Sequence, residues 1–109
     1  VDPKTSEIVW EYKANPPQQF FSGHISSAQR LELGNVFICE GTSGRLFEVT
    51  RNNEVVWEWI SPFVHGSDNG SLSISIYRAY RYGLDHPAFA NRNLTADTYR
   101  QLNAGLGLL

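Results

Sequence analysis

Glu7-Ile8-Val9-Trp10-Glu11-Tyr12 returns later in the chain as Glu54-Val55-Val56-Trp57-Glu58-Trp59. Each of the six positions keeps its kind, and Trp57 follows Trp10 by 47 residues. A period of about 40 to 50 residues, made of short strands and turns, is the sequence mark of a β-propeller blade. The 109 residues hold little more than two such periods, while a closed propeller needs about four blades or more. The repeat thus predicts an all-β chain that supplies part of a ring.

Working outward from the repeat, residues 8–13 read as a strand, with Ile8, Trp10 and Tyr12 on one face. Asn15-Pro16-Pro17-Gln18-Gln19 is a loop, because two prolines cannot serve a central strand. Four alternating runs follow, at residues 24–31, 36–40, 45–50 and 54–60. Between them lie Glu32-Leu33-Gly34-Asn35, Gly41-Thr42-Ser43-Gly44 and Arg51-Asn52-Asn53, all turn sequences. Residues 24–60 therefore form one complete four-stranded antiparallel blade. Residues 71–82 alternate again and read as the inner strand of a following blade, as residues 8–13 read as the outer strand of a preceding one. The blade segment occupies residues 1–93. In the tail, residues 94–109, Thr95 is placed to cap a short helix over 96–103. Leu94 and Tyr99 are spaced as a hydrophobic staple, and Gly105 and Gly107 stand at the helix end.

The bulk composition narrows the class. Apolar residues make up 41% and charged residues 18%, the range of an ordinary globular domain, and the formal net charge is −2. No basic cluster is dense enough to suggest nucleic acid, and no apolar run approaches the roughly 20 residues of a membrane span. The sequence starts at Val1 and contains no Met, which predicts a processed or internal start. Cys39 is the single cysteine, so no internal disulfide is expected, and its place within Val36-Phe37-Ile38-Cys39-Glu40 predicts a buried, inert thiol. Asn69-Gly70-Ser71 and Asn93-Leu94-Thr95 fit the N-glycosylation sequon in predicted loops, with Asn69 and Asn93 as acceptors.

The stretch Val1-Asp2-Pro3-Lys4-Thr5-Ser6-Glu7-Ile8-Val9-Trp10 resembles the D-x-x-T-G-x-x-x-W blade ending of quinoprotein-like propellers, with Ser6 where glycine is usual. Phe21-Ser22-Gly23-His24, Gly34-Asn35-Val36-Phe37-Ile38-Cys39-Glu40-Gly41, Gly44-Arg45-Leu46-Phe47-Glu48-Val49 and Val56-Trp57-Glu58-Trp59 resemble the arylsulfotransferase-like propellers, as does Tyr77-Arg78-Ala79-Tyr80-Arg81-Tyr82-Gly83. That resemblance spans about residues 1–93.

The resemblance implies sulfuryl transfer through a histidine that carries the group transiently. Imidazole is a good nucleophile near neutral pH, and surrounding cations stabilise the transferring charge. The matching histidine is His24, with Arg30, Arg45 and Arg78 as anion-binding candidates. Glu40 stands where a cation would be expected, and a carboxylate repels a sulfate ester. Such a site gathers groups from several blades, and at most two inner strands are present. The expected role is accordingly a blade module that packs with other blades, from a parent chain or from copies of itself, and has no activity alone. Alternatives are a part of a working sulfotransferase with an aryl sulfate ligand, and a self-assembling extracellular fibre protein. His65 and His86 lie in loops, no metal-ligand spacing is present, and no cofactor is expected. Trp10 and Trp57 are expected to cover the seams between blades. The resemblance and the sequons together predict a periplasmic or secreted location.

Overall fold

The computed structural model describes residues 1–66 and 70–107. Its centre is a four-stranded antiparallel sheet in the order β1 (Ser26–Arg30), β2 (Val36–Glu40), β3 (Arg45–Val49) and β4 (Val55–Ile60). The three connections fall where the turn sequences lie. Gly34, Gly44 and Asn53 each take positive φ, and the Leu31 and Thr50 amides close the first and third turns onto Asn35 and Glu54. The ladder runs Ser26, Glu40, Arg45, Ile60 at one end and Arg30, Val36, Val49, Val55 at the other. A register shift between Glu48 and Val49 leaves Val56 without a ladder partner, the sign of a β-bulge.

Period-two alternation gives the sheet two distinct faces. One carries Val36, Ile38, Phe47 and Val49, and the N-terminal arm covers it with Trp10, Tyr12 and Phe20. Phe20 meets Phe47 edge-on at 5.4 Å, Tyr12 meets Phe47 at 5.7 Å, and Trp10 Nε1 donates to the Arg51 carbonyl at 3.1 Å. The other face carries Ser27, Gln29, Phe37, Cys39, Leu46, Glu48, Trp57 and Trp59. Over it passes a strap, residues 76–82. The Gln29 side chain pairs with both main-chain groups of Arg81, donating at 2.9 Å and accepting at 2.8 Å. Ser27 does the same more weakly for Ala79. The Ile76 amide donates to the Gly41 carbonyl at 2.8 Å.

The two flanking strands need correction. Residues 8–13 and 74–82 form no ladder among the described residues. From the run at 71–82 only β6 (Leu72–Ser73) is a strand, paired with β5 (His65–Gly66). Alternation was real, but a strand also needs a backbone partner. In the strap, side chains of β1 supply bonds that a neighbouring strand would otherwise give.

The tail is also tighter than the sequence implied. A 3-10 turn at Ala96–Tyr99 leads into α1 (Arg100–Gly105). Thr95 does not cap the backbone. Its hydroxyl is engaged by Asn93 and Thr98 instead, so the first turn closes in the 3-10 manner.

Candidate functional site

The end of the sheet that His24 precedes is organised around one buried carboxylate. Glu40 is 5% exposed. Its Oε1 accepts the Phe21 amide at 3.0 Å and its Oε2 accepts Arg45 Nη1 at 3.3 Å. Arg45 also bonds Glu58 on β4 and lies 4.1 Å over the Phe47 ring. Burial opposes the Arg45 charge, but the bonds to Glu58 and Glu40 outweigh it and hold the guanidinium protonated above its ordinary range. One cation thus faces two carboxylates, and the cluster is net negative. Its main work is to fasten the loop before β1 to β2, β3 and β4.

His24 itself is exposed. The Ser22 hydroxyl holds the backbone around it, reaching the carbonyls of His24 at 2.7 Å and Ile25 at 2.8 Å. Thr42 donates to the same hydroxyl from the β2–β3 turn, through its amide at 3.3 Å and its own hydroxyl at 3.1 Å. Ile25 is held at φ +48°, a conformation that a β-branched residue rarely takes.

The candidate cations are not gathered around His24. Arg30 lies at the far end of β1, about 13 Å from Ser26 at the usual strand rise. Arg45 is bound into the carboxylate cluster. Arg78 is on the strap, bonded to the Tyr80 hydroxyl at 2.9 Å and exposed. His65 is exposed on β5. The His86 Nδ1 accepts the Ala88 amide at 3.2 Å, and its ring lies 4.7 Å from that of Tyr82 and 5.8 Å from that of Phe89. No group of three or more His, Cys, Asp or Glu among the described residues is placed to hold a metal. Asn93 is exposed in a loop, whereas Asn69 lies outside the described residues.

Cys39 is fully buried, with Sγ 3.7 Å from the Ile76 carbonyl. Burial raises its thiol above the ordinary range, against a smaller opposing effect of a hydrogen bond with Ser27. The thiol is therefore protonated at neutral pH and shielded beneath the strap, as its mid-strand position suggests.

One group of residues escaped the sequence reading. A cleft of about 830 Å³ opens between the β1–β2 turn and the end of the strap, lined by Gln29, Asn35, Glu48, Arg81, Leu84 and His86 among others. Glu48 accepts Asn35 Nδ2 at 2.7 Å and forms an ion pair with Arg81. The Arg81 guanidinium lies 4.8 Å from the Trp57 ring centre and 5.8 Å from that of Phe37. Glu48 and Arg81 are 33 residues apart, so no local pattern links them. The available signal was a carboxylate between Phe47 and Val49 in mid-sheet, which needs a cation.

Among the described residues no helix is long and apolar enough to cross a membrane. Comparison with protein-family models, with curated proteins and with solved structures finds no match.

Proposed function

We propose that the chain is a packing module of an arylsulfotransferase-like β-propeller, one blade with parts of its two neighbours, and that it has no activity by itself. The carrying observation is exposed area. A compact monomer of 12.3 kDa exposes about 6,100 Å², while this chain exposes 8516 Å². The excess, about 2,400 Å², falls in the size range of obligate interfaces.

The distribution of exposed groups agrees with this reading. β4 is an edge strand, and Val55, Val56, Trp57 and Ile60 on it are all exposed. The repeat suggests what would cover part of it. Trp10 and Tyr12 lie on the sheet that follows them in sequence. Trp57 and Trp59, one period later, point from the opposite face of that sheet. A following sheet would meet them as this sheet meets Trp10 and Tyr12. The partners are other blades, from a longer parent chain or from copies of this one, in a periplasmic or secreted setting.

Amide hydrogen exchange tests this reading. In the purified chain, amides on the outer edge of β4 are expected to slow as concentration rises from the nanomolar to the high micromolar range. Fast exchange independent of concentration would count against association. The lack of independent activity is tested by incubation with a nitrophenyl sulfate donor and a phenol acceptor. No turnover is expected, because the cluster nearest His24 is net negative. Turnover lost in His24→Ala would replace this reading with an enzymatic one.

A further inference from the structure

Asn93 lies in the exposed stretch between the 3-10 turns at Pro87–Phe89 and Ala96–Tyr99. Asn93-Leu94-Thr95 has the sequence required of an N-linked glycan acceptor, and the geometry adds to the pattern. Two donors of Thr95 converge on one atom: its backbone N–H reaches Asn93 Oδ1 at 3.0 Å and its hydroxyl reaches the same oxygen at 2.8 Å. The Thr98 hydroxyl, 2.9 Å from that of Thr95, holds the donor in place from the other side. None of these bonds uses the Asn93 amide nitrogen. Asn93, Leu94 and Thr95 are all exposed, and none belongs to the sheet, the core or the cleft.

We propose that Asn93 is an acceptor for an N-linked glycan. The co-reactant is an oligosaccharide joined to a lipid pyrophosphate. The Asn93 Nδ2 forms a bond to the anomeric carbon, the bond from that carbon to the pyrophosphate oxygen breaks, and the lipid pyrophosphate leaves with the electron pair. Nδ2 gives up one proton to a base of the transferase. As that proton leaves, negative charge develops on Oδ1, where the two Thr95 donors already point. A glycan there would extend from a loop with no packing duty, so the sheet and its two covered faces would be undisturbed.

The test is expression of the full chain behind a cleavable leader in a glycosylating eukaryotic host. Wild type is compared with Asn93→Gln, Thr95→Ser and Thr95→Val. Glycan release by peptide N-glycosidase in heavy-oxygen water marks each occupied asparagine by its conversion to aspartate. Asn93 is expected to be marked in wild type and in Thr95→Ser, and unmarked in Thr95→Val. Asn93→Gln is expected to lose the glycan at this site while still being secreted. Secreted wild-type chain with Asn93 unmarked would overturn the proposal, whether Asn69 is occupied or not.

Discussion

Ser6 sits at φ +60° in the turn that opens the chain. Asp2 closes that turn, accepting the Lys4 amide at 2.7 Å and the Thr5 amide at 3.3 Å. Left-handed backbone costs a residue with a Cβ about 1–2 kcal/mol, and glycine returns part of that as greater freedom when unfolded. Ser6→Gly is expected to raise the urea midpoint by the equivalent of about 0.5 kcal/mol. Gln29 works in the opposite direction. Its amide replaces a ladder rung for Arg81, and Gln29→Ala leaves both main-chain groups of Arg81 without that partner. A loss of about 1–2 kcal/mol is expected, with faster hydrogen exchange at the Arg81 amide and little change across β2 and β3. Cys39 gives the pH dependence. Its folded thiol holds the proton more tightly than the unfolded one, so its contribution is complete below the ordinary thiol range, about 8.5. The contribution is lost as pH rises through the raised folded value. Between pH 8 and 10 the wild type should lose stability more steeply than Cys39→Ala, by at most about 1.4 kcal/mol per pH unit. Equal slopes would show that the thiol does not titrate differently on folding.

At the scale of elements, the β2–β3 turn packs tightly against the backbone before β1 and the backbone that leads into the strap. A Cβ on Gly41 would stand 2.2 Å from the Ile25 carbonyl oxygen and 2.6 Å from that of Ile76. A Cβ on Gly44 would stand 2.1 Å from the Ile74 carbonyl oxygen, at φ +63°. All three neighbours are backbone, so none can yield without moving a segment. Gly44→Ala is expected to cost about 3 kcal/mol or more and to expose Cys39 to thiol reagents. A variant of near wild-type stability would show the segment at Ile74, which leads into the strap, to be loosely held. The central sheet was legible because its four runs alternate and its turns carry Gly or Asn where positive φ is needed. The same alternation misled at residues 8–13 and 74–82. At 8–13 it did mark Trp10 and Tyr12, which pack on the core. At 74–82 the marked Tyr80 and Tyr82 are exposed, and the strap is held by its main chain instead. In neither segment does alternation report a ladder partner. The burial of Glu40 and its bond to the Phe21 amide were not legible. That contact depends on the loop folding back over the sheet, which no local spacing encodes. For the candidate site, β1 spans Ser26–Arg30, so His24 lies just before it and Arg30 at its far end, a separation that a residue list alone does not reveal.

At the scale of the whole molecule, the radius of gyration is 16.7 Å over extents of 49 × 43 × 23 Å. A compact domain of 109 residues would have a radius near 13 Å. The thin shape follows from one sheet with a covering segment on each face, a core too small to close around itself. Two edge strands, β1 and β4, are left for other polypeptide to approach. Trp57→Ser should therefore weaken association by about tenfold or more, as loss of a large aromatic at an interface centre does, while the chain keeps its four-stranded sheet by circular dichroism. The most direct measurement is the native mass of the purified chain at micromolar concentration. Defined multiples of the chain mass are expected, falling toward monomer in Trp57→Ser. A compact monomer across the concentration range, with a radius of gyration near 13 Å, would contradict the packing role.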